Sequence, residues 1–271
     1  MVDNGGMTFR KTGSAAAITS EAASLRWLAD AARDGGAPVV ELLATGPGWL
    51  ETRRLHAVAA TPRAAEEFGR ALARTHAAGA PWWGAGPPGL AESRLAELPH
   101  PIVATAEAAP SSWGEFYAHL RVEPYVRLAR DRGHLSADGA RVLDRALTRV
   151  AAGTFDAPQP GLCSSGVARL HGDLWGGNVL WARPGTADGV TGILIDPAAH
   201  GGHAETDLAE LALFGSPHLG RTVAAYHEAS GLCDGWEARI PLHQLHMIAV
   251  HAALFGGSYG PQAVRAARSL T

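Results

Sequence analysis

The chain has 271 residues, 46% of them hydrophobic, and a formal charge of −3. That length supports one medium domain or two small lobes around a buried core, and the charge makes no electrostatic case for nucleic acid or an anionic membrane as partner. No apolar run nears the ~20 residues of a membrane helix, the N-terminus lacks the basic-then-apolar pattern of a signal peptide, and two cysteines, Cys163 and Cys233, fit a reducing cytoplasm better than a disulfide framework.

In chain order, Met7-Thr8-Phe9-Arg10-Lys11 reads as a short strand. Lys11 is the single lysine among 23 basic side chains. Lysine is a compact point charge where arginine is a planar fork, so a lone lysine in an Arg-rich chain points to a chemical use. Kinases hold the nucleotide phosphates with a strand lysine paired to a helix glutamate. A helix opening near Ser20-Glu21, with Leu25, Leu28 and Ala32 on one face, puts Glu21 in its first turn. There it is either that partner or a charge favoured by the helix dipole. Residues 38–43 and 48–52 suggest two further strands, the second running into an inter-lobe hinge. Thr61-Pro62 opens a helix with a cap residue and a first-turn proline. Phe68 and Leu72 carry its apolar face, Gly79 stops it, and His76 is a packed or surface histidine. Residues 81–110, rich in Pro, Gly and Ala, read as an irregular insert, with Trp82 and Trp83 lining a sugar site or simply packing. Ser112-Trp113-Gly114-Glu115 is a capping-box pattern. Its helix carries Phe116 and Leu120, should kink or restart at Pro124 and should end at Gly133. Ser136 starts another helix with Val142, Leu143, Leu147 and Val150 facing inward, and a loop over 153–166 follows.

The chemistry is concentrated in His171-Gly172-Asp173-Leu174-Trp175-Gly176-Gly177-Asn178 and the run Gly192-Ile193-Leu194-Ile195-Asp196-Pro197. An Asp, an Asn five residues later and an Asp closing a strand form the layout of a phosphoryl-transfer loop. In it, one carboxylate accepts the proton of the attacking hydroxyl, while an amide oxygen and a second carboxylate hold the Mg²⁺ bridging the ATP phosphates. Asp173 is the candidate base. Asn178 and Asp196 are the candidate metal ligands, oxygen donors of the kind a hard cation prefers. HGD in place of HRD and IDP in place of DFG point to a small-molecule acceptor. Beyond Asp196, the stretch 198–207 is crowded with His200, His203, Glu205 and Asp207, without Cys or helical His spacing that supports zinc. Three helices, 208–214, 219–230 and 242–254, should finish the chain. His243, His246 and His251 are not assigned to a metal.

HGDLWGGNVLW followed by IDPAAHGGHAETDLAELALFG closely resembles the fructosamine kinases, also called ketosamine-3-kinases, relatives of the aminoglycoside phosphotransferases within the protein-kinase-like fold. The resemblance extends upstream to Phe9-Arg10-Lys11 and Trp113-Gly114-Glu115-Phe116-Tyr117, and downstream to Leu254-Phe255-Gly256-Gly257-Ser258-Tyr259. It implies an α+β, two-lobed fold with a small β-lobe and hinge over residues 1–53 and a larger, mainly helical lobe over 54–271. It implies ATP and Mg²⁺, a Lys11–Glu21 pair on the phosphates, backbone contacts to adenine at Glu51, Thr52 and Arg53, and an Asp207 that anchors the catalytic loop. It also implies phosphorylation of the 3-hydroxyl of fructosamine or ribulosamine adducts, small or protein-bound, as a step in deglycation. Trp175 is the candidate platform for the sugar's apolar face, with loop packing as its competing role.

One departure stands out. Only residues 1–6 precede the lysine strand, too few for the two strands and glycine loop that cover the phosphates in such kinases, and Asp3-Asn4-Gly5-Gly6 reads as a turn. Either the chain starts late relative to its working form, or the expectation is a truncated small lobe with weak ATP binding and bare sheet edges open to self-association. An aminoglycoside- or choline-type kinase would share every catalytic residue, and a catalytically weak nucleotide-binding protein is the reading a missing glycine loop favours.

Overall fold

The computed structural model describes residues 7–183 and 189–271; Asp3-Asn4-Gly5-Gly6 lies outside them. The lysine strand β1 (Thr8–Thr12) is followed by α1 (Ala15–Arg33), β2 (Leu42–Gly46) and β3 (Trp49–Arg53). The three strands form an antiparallel sheet in the order β1-β3-β2. Helix α1 starts earlier than its apolar spacing suggests. Ser14 caps it by accepting from Ala17 N, so the small residues after Lys11 are its first turn and Glu21 sits in its second. Val39 and Val40 form no strand of their own. Instead, Val40 N donates to Leu194 O and Leu194 N to Pro38 O, which binds this segment to the strand ahead of Asp196.

Helix α2 (Pro62–Ala77) is capped by Thr61, and Gly79 after it takes the left-handed conformation. The insert over 81–110 is less irregular than its composition suggests. It contains a hairpin of β4 (Ser93–Leu95) and β5 (Leu98–His100), each strand too short to show a two-residue period. Trp82 and Trp83 serve packing here: Trp82 donates to Val103 O and Trp83 stacks on Phe116. Ser112 caps α3 (Trp113–Phe116), a wide π-helical turn spans Tyr117–Val122, and α4 (Glu123–Asp131) carries Pro124 in its first turn. Thus the proline restarts the helix where its missing N–H costs nothing. Helix α5 (Ala137–Ala151) is capped by Ser136.

Four short strands then set the catalytic segment. β6 (Ala168–Leu170) pairs with β9 (His200–Gly202), and β7 (Val179–Ala182) pairs with β8 (Thr191–Leu194), both antiparallel. The turn carrying Asp173 leaves β6, and Asp196 follows β8. The chain closes with α6 (Glu205–Leu213), α7 (Leu219–Ala229), α8 (Trp236–Phe255) and α9 (Tyr259–Arg268). Four helices stand where three were expected, because α8 runs through Pro241 and the Gly256-Gly257 break starts a fourth. The larger core joins α3, α4, α5, α8 and α9 around Phe116, Leu143, Val150, Leu245 and Val250, and a second centres on Phe68, Leu72, Leu174 and Tyr226. Leu143 is fully buried. Leu143→Ala should lower the unfolding free energy by about 2–5 kcal/mol, read as a fall in the urea midpoint at unchanged slope.

Candidate active site

The loop between β6 and β7 is held from beneath by two buried carboxyl groups on α6. Asp207 Oδ2 accepts from His171 N at 2.8 Å and its Oδ1 from Gly172 N at 3.1 Å. One turn further on, Glu210 Oε2 accepts from Leu174 N at 2.9 Å. Burial alone would raise the pKa of Asp207, but the hydrogen bond and charge of His76 and the loop amides outweigh it and hold the carboxyl below its ordinary value. His76 itself is fully buried, 3.0 Å from Asp207 and 2.9 Å from the Tyr226 hydroxyl. Burial, with Asp207 and Asp173 nearby, pushes Glu210 well above the usual carboxylate range. The clamp therefore carries its charge on Asp207. Gly172 is required at the bend: φ is +81°, and a Cβ there would lie 2.2 Å from Ala198 O.

Held this way, Asp173 faces the cavity with a pKa raised to about 7. Burial is the main cause, the Asn178 hydrogen bond pulls downward, and the charges of Asp196 and Asp207 push up. Asn178 spends both amide protons on Asp173, to its carbonyl oxygen at 2.7 Å and its Oδ2 at 3.0 Å. That leaves the Asn178 Oδ1 as the atom available to a cation. Asp196 is one of three non-glycine residues with positive φ among the described residues, at +54°. Such a backbone is disfavoured for an L-residue, and it comes two residues after the end of β8. Lys11 Nζ reaches Glu21 Oε2 at 2.7 Å and Asp196 Oδ1 at 3.1 Å. Burial would lower the lysine pKa, but Glu21 and Asp196 raise it overall, so the ammonium stays charged.

Two cavities meet at this ammonium. The first, of about 250 Å³, has apolar walls from Val40, Leu50, Leu180 and Ile195, with Thr52, Arg53, Arg54 and Leu55 along one edge. The second, of about 390 Å³, is lined by Asp173, Trp175, Asn178 and Asp196, and by Arg94 and Glu97 from the β4–β5 hairpin. Lys11, Glu21 and Asp196 line both. The structure thus gathers Lys11, Glu21, Asp173, Trp175, Asn178 and Asp196 around one opening, and places Thr52 and Arg53 on its apolar arm. Glu51 is not on that wall. Strand alternation turns it to the other side of β3, where its carboxylate pairs with Arg10 at 2.8 Å. The N–H groups of Arg53 and Arg54 are spent on Glu41 O and Met7 O.

Trp175 is about two-fifths exposed and packs edge-on against Phe214. A Cβ on Gly177 would lie 2.1 Å from its indole, so the ring lies over Gly177, with the loop beneath it. Sequence reasoning passed over the hairpin entirely; its strands carry no periodic signal. It also passed over the buried chain that ties the hairpin to β9 and the segment after Asp196. Arg121 Nε donates to His200 Nε2 at 3.1 Å, and His200 Nδ1 lies 3.2 Å from His100 Nε2 and 3.1 Å from Ala198 O. His100 Nδ1 meets the Tyr125 hydroxyl at 3.1 Å. Both histidines are held well below their ordinary pKa, first by burial and then by Arg121. His203, Glu205 and His243 bring three ligand atoms together, but each is engaged within the protein. Glu205 takes two bonds from Arg239, His243 lies between Glu205 and Thr206, and His203 reaches Ala157 O.

The fructosamine kinase family model matches residues 7–271. The chain belongs to the fructosamine kinase family. Among curated relatives of this fructosamine kinase family member, mouse ketosamine-3-kinase is 32% identical over 161 residues, which is 59% of this chain and 47% of that protein. The chain spans about half the length of the curated relatives it matches. A solved structure of a candidate fructosamine-3-kinase from Thermobifida fusca is 38% identical and superposes with a TM-score of 0.82, covering 99% of this chain and 86% of that one. The choline kinase LicA of Streptococcus pneumoniae, at 14% identity and a TM-score of 0.59 over 98% of this chain and 86% of its own, shares the fold alone. The fold is therefore the two-lobed protein-kinase-like one.

In this fructosamine kinase family member, Asp207→Ala would strand two loop amides and His76 in the core. Removing one partner of a buried hydrogen-bonded charge costs about 3–5 kcal/mol, so its melting temperature should fall well below that of the wild type. Gly177→Ala, which needs only the indole to move, should leave the melting temperature nearly unchanged and alter Trp175 fluorescence.

Proposed function

We propose that the protein is a kinase that uses ATP and Mg²⁺ to phosphorylate the 3-hydroxyl of ketosamines, the fructosamine and ribulosamine adducts of amines, small or protein-bound. The phosphorylated adduct then releases its amine, which makes the reaction a deglycation step, carried out in a reducing cytoplasm where the two unpaired thiols remain reduced. The observation that carries this reading is the meeting of two cavities at Lys11, one with apolar walls from Val40, Leu50, Leu180 and Ile195, the other holding Asp173, Asn178 and Asp196.

Residue roles follow from these positions. Val40, Leu50, Leu180 and Ile195 sandwich the base, with the edge from Thr52 to Leu55 beside it. Lys11, held by Glu21, meets the α/β-phosphates at the junction. The donor set suits Mg²⁺: Asn178 Oδ1 and the Asp196 carboxylate would hold it, and it would neutralise charge building on the phosphates. Trp175 presents its exposed indole to the sugar's apolar face. Asp173 receives the proton of the acceptor hydroxyl as that oxygen takes the terminal phosphoryl group and ADP leaves. Membership of the fructosamine kinase family supports the ketosamine class, and the small lobe and hinge are proposed to lie within residues 1–53, with the larger lobe over 54–271.

Incubation with fructoselysine, ATP and Mg²⁺ should yield ADP and a phosphorylated adduct with the phosphate on the 3-hydroxyl by ³¹P NMR. No turnover of any ketosamine, with turnover of choline or an aminoglycoside, would reject the substrate class. Asp173→Asn should lower kcat by about 10²-fold or more while keeping the wild-type melting temperature. Because the ionised carboxylate is the base and its pKa sits at about 7, kcat/KM should fall as pH drops through about 7 and level off above it. A flat profile from pH 5 to 8 would remove Asp173 from that role.

A further inference from the structure

The second cavity is lined by more carboxyl groups than cations. Four carboxyl groups line it, those of Glu21, Glu97, Asp173 and Asp196, against two cations, Lys11 and Arg94. Lys11 is already committed to Glu21 and Asp196. Arg94 is differently placed. Its guanidinium pairs with Glu92, whose side chain is largely exposed, and its buried Nε has no hydrogen-bond partner among the described residues. The backbone beneath it is fixed. Ser20 Oγ accepts from Arg94 N at 3.0 Å and lies 3.1 Å from Ser93 Oγ. Ser20 and Glu21 are neighbours on α1, so one helix sets the position of both cations of the cavity. From the other end, His100 at the close of β5 bonds His200 of β9, so the hairpin is tied to that strand as well.

Resting on the kinase reading above, we propose that Arg94 is a phosphate-binding residue of this site, its guanidinium leaving Glu92 to contact the terminal phosphate of ATP. A planar fork with parallel donors suits a phosphate's oxygens as a point charge does not. A surface partner such as Glu92 is cheap to leave, since exposed pairs contribute little. Arg94 faces the same cavity as Asp173, which puts the cation on the side of the phosphoryl group that is transferred.

The test is calorimetric titration with Mg²⁺ and either a non-hydrolysable ATP analogue or ADP, with no acceptor present. Arg94→Ala should lose about ten-fold or more in affinity for the analogue, as expected for a lost charge-assisted hydrogen bond, and stay within about two-fold for ADP. Arg94→Lys should recover only part of the loss. Glu92→Gln frees the guanidinium and should tighten the analogue but not ADP; this variant decides the matter if Arg94→Ala does not fold, and unchanged binding in it then overturns the proposal. Equal losses for both nucleotides, or no loss for either, would also overturn it. A wild-type protein that binds neither nucleotide would instead overturn the kinase reading, and this proposal with it.

Discussion

A single buried carboxylate organises the catalytic half of the molecule. Asp207 has no exposure to water, so its charge must be met inside, and it is met by two backbone N–H groups of the HGD turn and by His76. The consequence is geometric. A turn of otherwise adaptable residues is pinned at His171 and Gly172, Glu210 pins it again at Leu174, and Asp173 between them has little choice of direction. Removing water from beneath the loop also lifts the Asp173 pKa. The same burial that makes the loop rigid makes its carboxylate a stronger base.

The opposite wall is built from far apart in sequence. Lys11 and Asp196 are separated by 185 residues, yet one ammonium spans Glu21 of α1 and the residue that ends the metal strand. Asp196 reaches that position through a left-handed backbone, a local cost that persists because β8 is paired with β7 on one side and bonded to the 38–40 segment on the other. The buried chain from Arg121 through His200 and His100 to Tyr125 serves the same end. It is a polar interior that packs less cheaply than an aliphatic one, but it ties the hairpin to β9, just beyond Asp196.

Much of this was legible in the residues themselves. The five-residue step from Asp173 to Asn178, the strand before Asp196 and the solitary lysine each single out a residue that the structure brings to one opening. The start of α1 was not legible: Ala15-Ala16-Ala17 carry no apolar periodicity, and alanine reads equally as linker or helix. Val39 and Val40 look like a strand because they are β-branched, but their partner, Leu194, lies 155 residues on, beyond any local signal. Glu51 shares its strand with Thr52, and only the pairing to Arg10 decides which of them faces the cavity. Arg94 was invisible for a similar reason. A three-residue strand inside a Pro- and Gly-rich stretch shows neither its pairing nor the cavity it faces until α1 is packed against it.

The central claim is that Asp173, Asn178 and Asp196 converge on one metal–nucleotide complex. Crystals grown with Mn²⁺ and a non-hydrolysable ATP analogue test it directly, since the anomalous signal of manganese locates the ion independently of the protein. The account predicts the peak within bonding distance of Asn178 Oδ1 and an Asp196 oxygen, with the terminal phosphate turned toward Asp173 and the adenine between Leu50 and Leu180. A manganese and nucleotide bound elsewhere, or an Asp196 carboxylate that stays on Lys11 with no ion beside it, would contradict it.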